Sequence, residues 1–280
     1  MRILAYILPK PALDAGQTGW RTQRVSQSTK VTAGLVVIGD EILSGRTQDA
    51  NIAYLAKWLN EEGVALGEVR IVGDEQSAII EAVDALRDRC DYCFTTGGIG
   101  PTHDDITVDA IAGAFGVDVV YNDEALQMLA NYYGAQELTE ARKRMARVPD
   151  GGDLIRNPKS SAPGVRKDNV FMLAGIPGIM RGMLEGLRGE LAGAEPMLSD
   201  AVTVFAPESE MAERLAAIQE ANPQVSIGSY PFFREGRIGA ELVVRSTDSA
   251  NIDPVLAAIR QAADAIAAEW VNGESSADSP

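Results

Sequence analysis

The chain has 280 residues, 46% hydrophobic and 23% charged, and its 40 acidic against 25 basic residues give a formal net charge of −15. That length supports one good-sized domain plus a smaller one, and the charge opposes nucleic acid and anionic membrane surfaces as partners. No apolar run approaches the ~20 residues of a membrane helix.

Residues 1–30 carry five basic residues against one acid and no convincing signal-peptide pattern, so residues 1–32 read as a disordered or targeting-like tail. From Gly34 the pattern becomes regular. Leu35-Val36-Val37-Ile38 is the β-branched run of a strand buried on both faces, and it ends in Gly39-Asp40-Glu41. Residues 49–62 place Ile52, Leu55, Ala56 and Leu59 at helical spacing before a stop at Gly63. A strand over residues 64–72 follows, then a helix capped by Asp74 with Ile79, Ile80, Val83 and Leu86 in one stripe, then a strand over residues 92–96. The two cysteines of the chain, Cys90 and Cys93, fall at that helix end and in that strand, where neither a redox dithiol nor a zinc site is expected. Reduced, partly buried thiols suit a cytoplasmic chain.

This β-α-β-α-β order, wound right-handedly, gives a parallel sheet between two helix layers with the loops after the strands at one edge. At that edge residues 96–105 read Thr96-Gly97-Gly98-Ile99-Gly100-Pro101-Thr102-His103-Asp104-Asp105. Glycines without Cβ atoms let a phosphate reach backbone N–H groups, and Thr102 with Asp105 at the third helical position predicts a capped helix running to about Phe115. Two adjacent acids would repel a phosphate unless they stand aside or a divalent cation lies between, and Asp104 and Asp105 are the ligands Mg²⁺ takes. A plain turn with dipole-stabilising acids is the other reading. His103, the one histidine, reads as an exposed bystander.

A short strand over residues 117–121 is followed by helices over 123–147 with Leu126, Met128, Leu129 and Met145 inward, then a loop-rich stretch to residue 167. Val170-Phe171-Met172-Leu173 is a further strand, ending in Gly175-Ile176-Pro177-Gly178 before a methionine-rich helix. Residues 186–199 look like a linker. A β-α-β-β-α unit then occupies residues 200–271, with strands near 201–205, 225–230 and 238–244 and helices near 208–221 and 253–270. A disordered tail is expected over 272–280.

The stretches Val37-Ile38-Gly39-Asp40-Glu41-Ile42-Leu43-Ser44-Gly45, Asn51 and residues 96–105, continued by Asn157, Ala162-Pro163-Gly164 and Gly175-Ile176-Pro177, resemble the competence/damage-inducible protein A family. The chain is also similar to the molybdopterin-binding fold of molybdenum-cofactor enzymes and to the corresponding domain of eukaryotic FAD synthases. The resemblance covers roughly residues 33–190, and residues 226–231 with the final helix look like the small C-terminal part of the FAD-synthase domain. It implies a three-layer α/β/α, mostly parallel, molybdopterin-binding-like domain over 33–190, carrying a small α+β subdomain over 200–271.

The resemblance further implies a phosphate-bearing pterin (molybdopterin) or nucleotide as ligand. Some relatives hydrolyse the pyrophosphate of ADP-ribose or FAD with a divalent metal (Mg²⁺, Mn²⁺ or Co²⁺). Carried onto this sequence, the ligand-binding set is Gly39, Glu41, Asn51, Thr96, Gly97, Gly98, Gly100, Pro101, Thr102, Asn157, Gly164, Gly175 and Pro177. Asp104, Asp105 and Asp40 would be catalytic, with Asp104, Asp105 and Glu41 on the metal. Where relatives have a glutamate after the Gly-x-Pro turn, this chain has Gly178-Ile179. A non-catalytic binding module is the alternative to a pyrophosphatase. A homo-oligomer is expected, with the methionine-rich helix from Ile179 offering apolar surface.

Overall fold

The computed structural model describes residues 31–159, 162–234 and 236–277. The tail read over 1–32 lies outside them except for its last two residues, as do the last three of the C-terminal tail. The elements of the larger unit run β1 (Val31–Ile38), α1 (Asp40–Leu43), α2 (Asn51–Glu61), β2 (Val64–Val72), α3 (Gln76–Arg87), β3 (Tyr92–Thr96), α4 (Thr107–Phe115), β4 (Val119–Tyr121), α5 (Asp123–Tyr133), α6 (Glu140–Lys143), β5 (Arg147–Pro149), β6 (Asp153–Ile155), β7 (Gly164–Lys167), β8 (Val170–Leu173) and α7 (Pro177–Glu185). The smaller unit follows as β9 (Leu198–Val204), α8 (Glu208–Ala221), β10 (Ser226–Arg234), β11 (Arg237–Ser246) and α9 (Ile252–Ala277). The last helix thus continues past Trp270, where it was expected to end, into the stretch expected as a tail.

Six strands form the main sheet in the order β2-β1-β3-β8-β7-β6, and the β2-β1-β3-β8 block is parallel. Alternation on β1 divides the core: Ala33, Leu35 and Val37 pack with Leu55, Trp58 and Leu59 of α2 and Met180, Met183 and Leu184 of α7. Val36 and Ile38 pack on the other face with Ile79, Val83 and Leu86 of α3 and Val108 and Ile111 of α4. The methionines of α7 are therefore core residues, and the apolar surface they were expected to offer a partner is absent.

Chain order matters at the sheet's C-terminal edge. From β1 the chain passes to β2 on one side, then crosses back so that β3 lies on the other side of β1. Strand order reverses there, leaving a crevice between the β1 and β3 ends, where open α/β sheets bind ligands. Because β7 is antiparallel to both β8 and β6, β6 also ends at this edge. The loops after β1, β2, β3, β6 and β8 consequently share one rim, and α2, α3, α4 and α7 all begin there.

The smaller unit is a three-stranded antiparallel sheet, β10-β11-β9, backed by α8 and α9 around a core of its own that includes Met211, Leu242, Val244, Leu256 and Ile259. Residues 186–199 are not a free linker: the Ala194 N–H donates to the Gly63 carbonyl at 3.0 Å, and Arg188 reaches Glu61, Glu62 and Glu185.

Candidate active-site crevice at the sheet edge

Three glycine loops are pressed together at the crevice. Gly97 has φ +104°, and a Cβ there would lie 2.2 Å from the Ile38 carbonyl oxygen, so only glycine lets the β3 loop touch the end of β1. A Cβ on Gly175 would stand 3.2 Å from the Gly97 Cα, which brings the β8 loop into the same contact. The Gly97 N–H donates to the Leu173 carbonyl at 3.1 Å. It is therefore spent on the sheet, which corrects the reading that this amide faces a phosphate. For the Gly98 and Gly100 amides no intrachain acceptor occurs among the described residues.

The helix after this loop starts at Thr107, four positions later than expected. Thr102 does not cap it. Instead the Asp105 carboxylate accepts from the Thr102 N–H at 2.7 Å and from its hydroxyl at 2.5 Å, closing residues 102–105 into a turn of their own. The true anchor is Thr107, fully buried, whose N–H donates to the Gly98 carbonyl and whose hydroxyl donates to the Gly97 carbonyl, each at 2.9 Å.

The turn separates the two acids. Asp105 folds inward against Gly100 and lines a tight cleft with Ile99, Val108, Arg144, Met145, Arg147, Pro163 and Val165. Asp104 does not line that cleft; its charge, with those of Asp40 and Glu41, acts on Asp74. Burial first, then these three carboxylates, push the Asp74 carboxyl above its ordinary value, although the Asp40 N–H donates to it at 3.0 Å. The side chain expected to cap α3 is thus drawn into the crevice, and α3 begins without a side-chain cap. Asp104 itself is held below the usual carboxylate range, mainly by the Thr102 hydroxyl beside it. Glu41 is half-buried and folds back over Gly39. His103 is 98% exposed at the loop tip.

Asn51 opens α2 and is buried; its amide nitrogen donates to the Gly175 carbonyl at 2.7 Å, while its Oδ1 and the Thr96 hydroxyl have no partner among the described residues. Pro177 stands at the start of α7, and Pro101 and Thr102 are exposed in the β3 loop. Gly164 is opposite Ile155 in β7, on the same rim. Asn157 is committed to structure: its side chain ties the Lys159 N–H to the Ile179 carbonyl of α7 and leaves room only for glycine at position 182.

Three residues at the site escape sequence reading. Asp74 and Thr107 carry a weak signal, a polar residue just before an apolar helical stripe, which by itself means a cap. Arg144 carries none; it enters from the segment before β5, bonds the Asp105 carbonyl at 3.5 Å and keeps a buried Nε without a partner.

No group of three or more His, Cys, Asp or Glu residues stands ready to enclose a metal among the described residues. The oxygen-only donors Asp40, Glu41, Asp74 and Asp104 nevertheless have the chemistry of a Mg²⁺ site, since that ion is usually held by one or two carboxylates plus phosphate oxygens and water. Asp105 is outside this set. No helix of the described residues is long and apolar enough to cross a membrane.

A family model described as "Probable molybdopterin binding domain" matches residues 34–192, and one described as "FAD synthase, middle domain" matches residues 196–270. A protein of Pyrobaculum arsenaticum is 34% identical over 222 residues, which cover 75% of this chain and 83% of that protein. The "Probable FAD synthase" of Caenorhabditis briggsae is 30% identical over 266 residues, and the match covers 86% of this chain but 51% of that protein, so the chain spans about half its length. Among solved structures, CinA from Thermoplasma acidophilum, a protein of unknown function, superposes with a TM-score of 0.55 at 32% identity over 58% of this chain and 99% of that one.

Proposed function

The chain belongs to the molybdopterin-binding domain family that includes CinA, and from that membership we propose that its crevice captures a phosphate-bearing pterin or nucleotide. One observation carries the reading: the Gly39, Gly97 and Gly175 loops meet at the reversal of strand order, with the Gly98 and Gly100 amides left over. The N-termini of α2, α3, α4 and α7 add positive dipole ends at the same rim, which offset part of the carboxylate charge. Binding is tested by titrating the protein with ADP-ribose and FAD by calorimetry. Absence of heat with either, with and without Mg²⁺, would sink the reading.

A second reading, pyrophosphate hydrolysis, is favoured by the acids at this rim: the Asp40 N–H donates to Asp74, the Asp40 carboxylate lies against Gly73, and the charges of Asp40, Glu41 and Asp104 act on Asp74. A phosphate binder gains nothing from four acids at its mouth. The carboxylates would hold a divalent cation against the bound pyrophosphate, which when present neutralises phosphate charge and makes a bound water more acidic. In this chain Asp104 stays ionised for that purpose, while Asp74, pushed toward its neutral form, fixes the Asp40 backbone. Release of AMP from ADP-ribose or FAD only when Mg²⁺, Mn²⁺ or Co²⁺ is added supports hydrolysis. Binding without release at any metal concentration leaves the non-catalytic module. A homo-oligomer remains part of the proposal, and a monomeric mass by light scattering at micromolar protein would remove it.

A further inference from the structure

We propose that the open face of the small β10-β11-β9 sheet is a second binding site, for the planar ring and phosphate of a single nucleotide, independent of the crevice. Strand alternation decides which residues lie there. Ala240, Leu242 and Val244 of β11 point into the helix-backed core, so Arg237, Gly239, Glu241 and Arg245 point outward. Opposite them on β10 stand Tyr230, Phe232 and Arg234, and Phe205 follows β9 on the same side.

This face is built around missing side chains. A Cβ on Gly239 would come within 2.6 Å of the Phe232 ring and of the Val204 carbonyl oxygen, so glycine at that position lets Phe232 lie across β11 and meet Phe205 edge to face at 5.7 Å. Guanidinium groups then stack on the rings: Arg234 on Phe232 at 4.5 Å and Arg237 on Phe205 at 3.9 Å, while Arg245 reaches the Tyr230 hydroxyl at 2.5 Å. Phe205 and Tyr230 remain 45% and 48% exposed.

Arg234 and Arg237 face each other across the hairpin. Like charges directly opposite in a ladder are destabilising, and among the described residues neither arginine has an ion-pair partner. Glu235, in the turn between them, lies outside the described residues. In a chain of net charge −15, two adjacent cations with no ion pair among the described residues form a local anion site, with Glu241 further along the same face. Stacking holds each guanidinium by its face and leaves its N–H edge for a phosphate, which two forks can grip together. Exposed aromatic rings beside that grip accept a base by stacking, worth ~1–3 kcal/mol per base. Pro231 interrupts edge strand β10 as a template for a further strand. A single nucleotide fits better than a nucleic-acid strand, because each added phosphate meets the repulsion of the whole acidic chain.

The test uses the full chain and AMP, with photo-crosslinking by 8-azido-AMP and calorimetry at fixed ionic strength. Crosslinks on residues 226–245 are expected, and Arg234→Gln with Arg237→Gln should weaken that site at least about tenfold while leaving crevice binding of ADP-ribose unchanged. Adenosine, lacking the phosphate, should bind it at least about tenfold more weakly than AMP. Phe233→Ser, on the core-side face although 72% exposed, should change nothing. Crosslinks confined to residues 96–107 or 174–177, an unaffected double variant, or tighter binding of an oligonucleotide than of AMP would each overturn the proposal. Loss of crevice binding with this site intact would overturn only the proposed function.

Discussion

Asp104 and Asp105 are neighbours in sequence and opposites in role, and their substitutions should separate. Asp104→Asn removes a carboxylate whose charge, like those of Asp40 and Glu41, acts on Asp74, and metal-dependent AMP release should fall at least ~10²-fold in kcat. Asp105→Asn keeps an acceptor for the Thr102 N–H, so its loss of rate should stay below ~10-fold. Equal losses would mean that the loop turns over when ligand binds. The sequence made both acids candidates because it shows spacing and not direction, and direction here is set by the Thr102 turn. Asp74 offers a pH test. Its folded carboxyl titrates above the ordinary value, so between the two values the folded state binds the extra proton; the group's contribution is fully present at lower pH and lost as pH rises through the raised value. Asp74→Asn, which keeps an acceptor for the Asp40 N–H, should therefore raise Tm at pH 7 and change it little near pH ~3, where the wild-type group is protonated too. A lower Tm at pH 7 would contradict this. At Cys93 burial pushes the thiol up to about 12, so iodoacetamide at pH 8 should label it only in the unfolded chain.

The elements themselves were largely legible. β3 and β8 occupy the residues that their β-branched or aromatic runs indicate, because strands buried on both faces leave little choice of residue type. The start of α4 was not legible: Thr102 followed by Asp105 satisfies the sequence pattern of a cap, yet Pro101 and the folded-back Asp105 make a separate turn, and the helix waits for Thr107. That residue is the pin of the glycine loop. Thr107→Val keeps the shape and leaves the buried Gly97 carbonyl without its donor, which should cost ~1–3 kcal/mol in urea unfolding, whereas Thr107→Ser restores most of it. If the valine variant were as stable as wild type, Thr107 would be a packing residue and the loop would be held by its glycines alone.

At the scale of the molecule the two units have separate cores, since no buried residue of the small one belongs to the clusters of the large one. The stretch between them belongs physically to the large unit. Leu191 is buried in its core, the Ala192 N–H donates to the buried Tyr92 hydroxyl at 2.8 Å, and Gly193 fits so closely against the Glu62 carbonyl that a Cβ would come within 1.7 Å of its oxygen. Composition hid this, because small residues chosen for close backbone contact look the same as residues chosen for flexibility. The consequence can be measured with two shortened chains. Residues 31–196 keep every one of these contacts and should unfold cooperatively. Residues 31–187 lose a buried leucine, worth ~1.5–3 kcal/mol, and the Tyr92 hydrogen bond, worth about 1 kcal/mol, so their urea midpoint should fall by an amount equivalent to roughly 3 kcal/mol. Equal midpoints would show that residues 188–196 are a tether after all, and that the small unit is hung on the large one without sharing its stability.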